Sequence, residues 1–597
     1  MQAIVLAAGY GRRMRPLSER CHKALLPLGG TTILGRILDS LEGAGVGQVL
    51  VVTGYRAEDV RSFLDARGRG LAIRCVHNEH FATTNNIVSL GLALEQLDGA
   101  GDVLLIECDL IFEPSVLRAL VQRTPGNVAL VDRYREGMDG TVVTVEQSRV
   151  TGVFPPSAQG DGFSYRDKFK TLNIYRFERA FCADTLRPLV DRYAREVDAN
   201  AYYEMVLGML VDLPGRPIEA ELVDGSRWAE VDDPGDLASA RFVFEPQRRA
   251  ELLDRAHGGH WNYDLLDFAH VRNARFPTPA MLAALSHALP DLVASYGSAQ
   301  VILNEKLSWF LRCDPSRLQA LNGAAQALPI LARQLAGLRA ALPAPTFGEY
   351  PRLFSAARNY RDHPGIDLAE LDEIAADVDL VVAVNPNNPT GTALATAELH
   401  ALAERHPATT FLVDESFQIF TREESLLAAL ERAPLENVLV LASLSKSLGV
   451  PGLRLGYLYC ADARLLARFA AELPIWNLGA PAEFFLELLL KFRPELERSI
   501  EQTLADRAAL AAALEYSPLI ARVHPSAANF LLVTLADDAP PAEILRAALL
   551  SGSPAINVRD LRGRFDDGSE RLRIAVRTPE ENAQLIDALH DAAAQLR

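Results

Sequence analysis

Cysteine is scarce in this sequence, with six residues in 597. They are scattered, without a C-x-x-C pair or a histidine at zinc-ligand spacing, so neither a disulfide framework nor a zinc site is expected. No apolar run approaches the ~20 residues that a membrane helix needs. The first residues, MQAIVLAAGYGRRM, place apolar residues before basic ones, the reverse of a signal peptide. These absences favour a cytoplasmic protein with no membrane partner.

The sequence also lacks an excess of positive charge. Its 60 lysines and arginines are outnumbered by 77 aspartates and glutamates, which gives a net charge of −17. Such a surface repels nucleic acid, so a DNA or RNA partner is not expected. Small anionic substrates remain possible, because a few arginines and helix N-termini inside a cleft can outweigh the distant field.

The length and the apolar pattern predict two α/β domains. A chain of 597 residues exceeds what one hydrophobic core usually covers. Apolar β-type runs alternate with helical patterns in both halves, which is typical of parallel α/β sheets. A charged stretch, EPQRRAELLDRAHGG, separates the halves. We therefore predict one domain at 1–245, a linker at 246–260 and a second domain at 261–597.

An apolar β-type segment near the start leads directly into small and basic residues. The loop AAGYGRRMRP follows Leu6, and Arg13 lies within it. Small residues let backbone N–H groups approach a triphosphate closely, and a cation stabilises the charge that develops on departing pyrophosphate. The predicted nucleotide-binding residues are Leu6, Ala7, Ala8, Gly9, Gly11 and Lys23. For the glycines alone, an ordinary glycine turn is the favoured explanation.

Lys23, in the segment HKALLPLGG, makes the pattern more specific. A strand, a glycine loop, an arginine and a following K-x-x-x-P are jointly rare. Together they resemble the nucleotidyltransferases that make NDP-sugars and CDP-alcohols, over roughly the first 240 residues. The resemblance implies a Rossmann-like fold and catalytic roles for Lys23 and Arg13.

This chemistry requires Mg²⁺, which bridges the phosphates as the α-phosphorus is attacked. Asp109, in LLIECDLIFEP, follows an apolar strand where the family carries its first metal ligand. Asp232, in WAEVDDPGDLASA, fits the second, and Asp233 is the adjacent alternative. We interpret Asp236 as a cap of the next helix.

The acceptor region departs from the sugar enzymes. The segment TNNIVS resembles the Asn-Asn-x-x-Ser segment of phosphocholine and 2-aminoethylphosphonate cytidylyltransferases. An aromatic face with a carboxylate, as in YYE at 202–204, is suited to an ammonium group, although both tyrosines could equally be core residues. The predicted acceptor-binding residues are Asn85, Asn86, Lys170, Asn173, Tyr203 and Glu204. CTP as the nucleotide is implied by the resemblance alone.

The second half contains NPNNPTG, then LVDES, then SLSKSLGVPGLRLGY. Together these segments resemble fold-type I pyridoxal-phosphate (PLP) enzymes of the class I and II aminotransferase group. The resemblance implies that Lys446 binds PLP covalently, that Asp414 keeps the pyridine nitrogen protonated, and that Arg573 holds an amino acid carboxylate. The other implied cofactor-binding residues are Gly323, Ala324, Ala325, Tyr350 (stacked on the ring), Asn388, Ser443, Ser445 and Arg454.

One position departs from the aminotransferase pattern. Where these enzymes usually have a tyrosine three residues after the strand-end aspartate, this chain has Phe417. This phenylalanine, with His257 and Arg577, resembles threonine-phosphate decarboxylase, a relative of histidinol-phosphate aminotransferase. Transamination and decarboxylation of an amino acid substrate therefore both remain open.

The two halves together suggest consecutive reactions. A PLP domain would form an amine that carries a phosphonate, and the first domain would couple 2-aminoethylphosphonate to CMP. The alternatives are a phosphocholine or phosphoethanolamine cytidylyltransferase fused to a phosphoserine-type decarboxylase, or a non-catalytic sensor or scaffold. By resemblance we also expect a homodimer through the PLP domain, with Tyr296 and the loop 273–277 contributed to the partner's site.

Overall fold

The computed structural model describes residues 1–67, 70–124, 126–211, 213, 217–223 and 225–596. The chain forms two compact units, Met1–Tyr263 and Asp264–Arg597. The segment 246–260, predicted as a linker, lies within the first unit. Among the described residues, no helix combines the length and the apolar character needed to cross a membrane.

Strands and helices alternate along unit 1. The strands are β1 (Gln2–Ala7), β2 (Pro27–Leu28), β3 (Thr31–Thr32), β4 (Gln48–Thr53), β5 (Ala72–His77), β6 (Val103–Glu107), β7 (Leu110–Phe112), β8 (Asn127–Arg133), β9 (Val142–Glu146), β10 (Arg149–Phe154), β11 (Phe169–Phe177), β12 (Ile218–Leu222) and β13 (Trp228–Glu230). The helices are α1 (Leu17–Arg20), α2 (Ile33–Gly43), α3 (Ala57–Ala66), α4 (Asn86–Glu95), α5 (Pro114–Gln122), α6 (Arg179–Phe181), α7 (Arg187–Glu196), α8 (Glu204–Val211), α9 (Pro234–Phe244) and α10 (Arg249–Ala256).

A mixed sheet forms the centre of unit 1, with the order β5-β4-β1-β6-β11-β8-β12-β10-β9 among the described residues. Its first four strands are parallel, as the alternating pattern predicts. Antiparallel pairing begins at β11, which pairs with both β6 and β8, whereas β12 is parallel to β8. Gln147 and Ser148, both with positive φ, join β9 to β10. A two-residue connection can only form a hairpin, so these strands are antiparallel.

Strand β1 is apolar from Ala3 to Ala7 because helices cover both faces of the sheet. Ala3 and Val5 belong to one apolar core, and Ile4 and Leu6 belong to the other. The strand therefore ends in a buried, fixed position, from which the following loop emerges.

Among its described residues, unit 2 has a larger sheet, a smaller sheet and a parallel pair of short strands, Leu265–Asp267 and Ala555–Asn557. Its strands are β14 (Leu265–Asp267), β15 (Leu318–Asn322), β16 (Ala340–Ala344), β17 (Arg358–Arg361), β18 (Leu380–Val384), β19 (Thr410–Asp414), β20 (Val438–Ser443), β21 (Leu455–Cys460), β22 (Ile520–Val523), β23 (Phe530–Leu535), β24 (Ala555–Asn557), β25 (Arg559–Asp560) and β26 (Arg571–Ala575). Its helices are α11 (Pro279–Val293), α12 (Gln300–Leu311), α13 (Ala327–Gln334), α14 (Glu349–Leu353), α15 (Leu368–Asp377), α16 (Thr396–Arg405), α17 (Leu426–Arg432), α18 (Leu444–Ser447), α19 (Ala463–Ala470), α20 (Ala480–Lys491), α21 (Arg493–Glu515), α22 (Ala542–Ser551) and α23 (Pro579–Gln595).

The larger sheet has the order β15-β21-β20-β19-β18-β16-β17 in the described part of the chain. Strand β21 is antiparallel to both of its neighbours, and the pairs from β20 to β17 are parallel. The carboxyl ends of β15, β18, β19 and β20 therefore meet at one edge of the sheet, where ligands bind in open α/β folds. The smaller sheet is antiparallel and has the order β22-β23-β26-β25 among the described residues.

Candidate active sites

The glycine loop of unit 1 closes over Lys23. Gly11 has φ 55°, a left-handed conformation that favours glycine, and a Cβ there would lie 3.2 Å from the Cβ of Lys23. Leu6 and Ala7, at the end of β1, are buried, as is Ala8. The loop is thus held against a lysine that is 12 residues farther along the chain.

Lys23 joins the two carboxylates that the sequence predicts as metal ligands. Its Nζ lies 2.7 Å from Oδ2 of Asp109 and 2.8 Å from Oδ1 of Asp232. Arg13 donates to the other oxygen of Asp232 at 2.6 Å and also to Asp139. Burial by itself would lower the pKa of Lys23, but the two carboxylates outweigh it and raise that pKa. Lys23 is therefore a permanent cation in this structure.

Asp109 and Asp232 also fit a divalent metal. They contact the same ammonium, so their oxygens converge on one point, and Oδ1 of Asp109 is buried without a hydrogen-bond partner. Carboxylate oxygens are the ligands that Mg²⁺ prefers. Asp233, the alternative ligand, is instead the N-cap of α9 and forms a capping box with Asp236.

A pocket of about 150 Å³ opens beside these groups. It is lined by Leu6, Ala8, Gly9, Gly11, His22, Lys23, Asn78, Phe81, Thr84, Asn85, Asn86, Ser89, Glu107, Cys108, Asp109 and Tyr202. The glycine loop, the candidate metal ligand Asp109 and the predicted acceptor residues Asn85 and Asn86 thus share one cavity.

Asn86 connects the acidic residues of this region. Its Nδ2 donates to Oε1 of Glu107 at 3.1 Å, and its Oδ1 accepts from the backbone of Tyr203 at 2.9 Å. Asn85 caps α4. Glu204, the first residue of α8, is 5% exposed, and burial raises its pKa to about 7. Burial, with Asp109 and Glu204 nearby, likewise raises the pKa of Glu107.

Lys170 and Asn173 both bind Glu230 in the structure. The Nζ of Lys170 lies 3.0 Å from Oε2 of Glu230, and Nδ2 of Asn173 donates to Oε1 at 3.3 Å. Asn173 has φ 55° at an irregularity in the pairing of β11 with β8. Burial raises the pKa of Glu230 to about 7. The predicted acceptor residues therefore lie in a buried ionic network that the sequence pattern did not reveal.

The two tyrosines of the YYE segment have different environments. Tyr203 has no exposed surface, and its ring meets Tyr175 edge-on with centroids 6.0 Å apart. Tyr202 is 52% exposed and lines the pocket. The structure therefore favours the core alternative for Tyr203 and places Tyr202 at the cavity.

In unit 2, Lys446 and Asp414 lie at the ligand-binding edge of the larger sheet. Lys446 is in the short helix α18 directly after β20, and Asp414 is the last residue of β19. Burial, together with Arg573 and Arg454, lowers the pKa of Lys446 to about 8. Burial raises the pKa of Asp414, which accepts hydrogen bonds from the hydroxyl of Tyr350 at 2.7 Å and the backbone of Ser416 at 2.9 Å.

Tyr350 therefore has a different position from the one the resemblance implied. Its ring has no exposed surface, so it offers no face on which a cofactor could stack. It holds Asp414 through its hydroxyl instead. Phe347, three residues earlier, is 41% exposed and contacts Tyr350 edge-on.

A cationic cup forms where β15 ends. Gly323 has φ 75°, and a Cβ there would lie 2.2 Å from Nη2 of Arg454, so only glycine allows this approach. Nη1 of Arg454 lies 3.5 Å from the hydroxyl of Ser445. Ala324 and Ala325 begin the helical turn before α13. A phosphate group fits this arrangement, because the guanidinium of Arg454, the hydroxyl of Ser445 and the start of the helical turn can all donate hydrogen bonds to it. Ser443, at the end of β20, donates its N–H to the hydroxyl of Ser416.

Arg573, on β26, binds Asn388. Its guanidinium donates to Oδ1 of Asn388 and to the carbonyl of Ala269, while its Nε is buried without a partner. Burial lowers its pKa to about 10. Phe417 is buried, and its ring meets that of Phe530 edge-on. Through Arg573, the smaller sheet contacts the loop that carries Asn388.

Glu107 was not among the predicted site residues, although it lines the pocket. The segment IECD ends an apolar strand with two acids, and residues near the ends of parallel strands meet at the ligand-binding edge. The position of Glu107 at the end of an apolar strand was the signal from which it could have been predicted as a site residue. Glu230 similarly follows a short apolar run two residues before Asp232.

Comparisons with known proteins match both units. Residues 268–589 match the aminotransferase class I and II family, and residues 3–200 match the MobA-like NTP transferase domain. A CMP-5'-(3-aminopropyl)phosphonate synthase from Streptomyces rubellomurinus is 34% identical, over 99% of this chain and 94% of the relative. An L-serine phosphate decarboxylase from Sulfurospirillum multivorans is 28% identical, over 51% of this chain and 81% of the relative.

The crystal structure of the histidinol-phosphate aminotransferase from Clostridium acetobutylicum has the fold of unit 2. It is 21% identical, with a TM-score of 0.50 over 55% of this chain and 99% of that one. These matches confirm the α/β fold assignment and both resemblances drawn from the sequence.

Proposed function

Because this chain belongs to the aminotransferase class I and II family and is 34% identical, over 99% of its length, to a CMP-5'-(3-aminopropyl)phosphonate synthase, we propose that it is a bifunctional cytidylyltransferase and PLP enzyme. Unit 1 transfers CMP from CTP to 2-aminoethylphosphonate and releases pyrophosphate. Unit 2 forms the amine from an amino acid by decarboxylation or transamination. The observation that carries the proposal is the match over 99% of this chain, and 94% of the relative, to a CMP-5'-(3-aminopropyl)phosphonate synthase.

In unit 1, Asp109 and Asp232 would hold Mg²⁺, which supplies charge neutralisation at the phosphates. The backbone of Gly9 and Gly11 binds the triphosphate, and an oxygen of the acceptor attacks the α-phosphorus. Lys23 and Arg13 then face the departing pyrophosphate, whose negative charge they stabilise. Asp109 and Asp232 raise the pKa of Lys23 when no metal is bound, and its role in the transfer is to supply positive charge near the phosphates.

In unit 2, the residues fit PLP, which supplies an electron sink for bond cleavage at Cα. Lys446 would bind it covalently, and its lowered pKa makes the neutral, nucleophilic amine accessible near neutral pH. Asp414 would pair with the pyridine nitrogen. The cup of Gly323, Ser445 and Arg454 would hold the phosphate, and Arg573 would bind the substrate carboxylate.

Phosphoethanolamine is the second candidate acceptor. The relative named as an L-serine phosphate decarboxylase supports it, since decarboxylation of serine phosphate yields that amine. The non-catalytic alternative is disfavoured, because Lys23, Asp109, Asp414 and Lys446 are all present and grouped in their sites.

The test of the proposed function is pyrophosphate release by the purified protein from each of four NTPs with a panel of aminophosphonates and phosphorylated amino alcohols. We expect CTP with 2-aminoethylphosphonate to give the highest kcat/KM. Carbon dioxide and keto acid are measured in parallel with the corresponding amino acids. A protein that releases pyrophosphate with none of the acceptors would refute the proposal.

We also propose that the protein is a cytoplasmic homodimer through unit 2. Large apolar side chains are exposed there, including Val293, Ile475 and the stacked pair Tyr296 and Trp476, and such a patch is typical of an interface. The loop 273–277, which the sequence predicted to reach the partner's site, contacts the site of its own chain: the N–H of Asn273 donates to the carbonyl of Lys446. All six cysteines are free, which suits the cytoplasm. A monomer in light scattering that still consumes amino acid would contradict the dimer.

A further inference from the structure

We propose that Glu107 determines the selectivity of unit 1 for acceptors that carry a primary ammonium group, and that it binds this group together with Glu204. The inference rests on the proposed cytidylyl transfer and adds the recognition of the amine end of the acceptor. Glu107 is the last residue of β6, two positions before Asp109. Glu107 and Asp109 line the same pocket.

The cations of this region are already engaged elsewhere. Lys23 binds Asp109 and Asp232, and Lys170 binds Glu230. Within the described residues, Glu107 has no ion-pair partner; it accepts one hydrogen bond, from Nδ2 of Asn86 at 3.1 Å. A carboxylate deep in a pocket without a cation is costly unless a ligand supplies the charge.

A second, independent observation points to the same ligand. Glu204 is 5% exposed, and its Oε2 has no hydrogen-bond partner. The negative charge of Glu204 repels that of Glu107, and the side chain of Asn86 lies beside both carboxylates. A cationic ligand would stabilise these two neighbouring carboxylates, one of which has a buried oxygen without a hydrogen-bond partner.

The type of cation follows from the geometry of the donors and acceptors. A primary ammonium has three N–H donors, which match carboxylate oxygens, whereas a quaternary ammonium has none. The aromatic side chains that line the pocket, Phe81 and Tyr202, can face either kind of cation, so the carboxylates and not the rings discriminate between them. Asn86 is also fixed, because its Oδ1 accepts from the N–H of Tyr203 and its Nδ2 must point to Glu107. The pocket therefore favours primary amines over choline-type groups.

The test compares Glu107→Gln with the wild type on three phosphonate acceptors with CTP. They are 2-aminoethylphosphonate, its N-trimethyl derivative and ethylphosphonate, which lacks the amine. We expect the wild type to prefer the primary amine. The variant should lose about 10- to 100-fold in kcat/KM for 2-aminoethylphosphonate, which corresponds to a hydrogen bond with a charged group, while ethylphosphonate and the KM for CTP change little.

Two control variants separate charge from folding. Glu146→Gln removes an exposed carboxylate of the same unit and should leave the acceptor preference unchanged. Glu107→Asp keeps the charge on a shorter side chain and should retain the preference for the amine even if its rate falls. Calorimetric melting shows that each variant is folded.

The outcomes distinguish this inference from the proposed function. An equal loss on all three acceptors, or a raised KM for CTP, would mean that Glu107 acts on the nucleotide or metal and would overturn the inference. Loss of the amine preference in Glu107→Asp would overturn it as well. If the wild type transfers CMP to none of the acceptors, the proposed function fails and this inference fails with it.

Discussion

Replacing Lys23 by methionine is expected to make the stability of unit 1 depend on a divalent metal. The ammonium of Lys23 lies 2.7 Å from Asp109 and 2.8 Å from Asp232, and the side chains of both acids are largely buried. Methionine keeps most of the volume and removes the charge. The two carboxylates then face each other with only Arg13 in contact with Asp232. A divalent metal can take the place of the lost ammonium.

The size of the effect follows from the burial. Removing one partner of a buried ion pair costs about 3–5 kcal/mol. The lower value applies here because the acids keep some exposure and Arg13 remains. For a unit of this size each kcal/mol lowers Tm by about 2–4 °C, so a decrease of about 6–12 °C is expected. Mg²⁺ at ten times its Kd would restore about 1.4 kcal/mol.

The assay is calorimetric melting with and without Mg²⁺, following the transition that CTP shifts. The variant should melt lower and respond to Mg²⁺, whereas the wild type should respond weakly because Lys23 already occupies the acids. Arg20→Met, which removes an exposed charge, is the matched control. An equal Mg²⁺ response in wild type and Lys23→Met would refute the idea that Lys23 and the metal compete for the same carboxylates.

Other substitutions test the remaining parts of both sites. Lys446→Ala should abolish carbon dioxide or keto-acid formation but leave pyrophosphate release intact, because the sites belong to separate units; a large loss of both activities would show one functional unit. Asp109→Asn should reduce pyrophosphate release by several orders of magnitude through weaker Mg²⁺ coordination, and activity retained at saturating Mg²⁺ would remove Asp109 from the metal site. Burial raises the pKa of Glu204 to about 7, so the KM for an amine acceptor should fall as pH rises through 7 and the carboxylate ionises; Glu204→Gln should lack this component, and identical pH profiles would argue against ammonium binding. Phe417→Tyr should lower the pH at which the visible absorption of the bound cofactor titrates, since a hydroxyl would stabilise the ionised phenolic oxygen; unchanged titration would place residue 417 away from the cofactor.

The local pattern of the sequence was sufficient to indicate the buried strands of the parallel sheets and some of the turns. Apolar runs such as Ile4 to Leu6 and Leu380 to Val384 became strands buried on both faces, because helices cover both sides of these sheets. Glycines mark the places where the backbone must adopt positive φ or approach another group, as Gly11 and Gly323 do. These are properties of a few neighbouring residues, so a single sequence contains them.

Contacts between distant parts of the chain were not contained in that pattern. Lys23 meets Asp109 and Asp232, which are 86 and 209 positions away. The sequence predicted each of them separately, but only folding shows that one ammonium joins both carboxylates. The mixed half of the sheet in unit 1 likewise depends on the placement of β11 between β6 and β8.

What the sequence by itself determined was the pair of domains, their chemistry and the residues at the ends of the strands, because these follow from composition, periodicity and short motifs. Tertiary structure alone decided which side chains reach a ligand. Tyr350 and Tyr203 are aromatic in the sequence and look suited to stacking, yet packing encloses both rings completely, while Glu107 and Tyr202 line the pocket. The direction and exposure of a side chain depend on every element that packs around it, and that information is distributed over the whole fold.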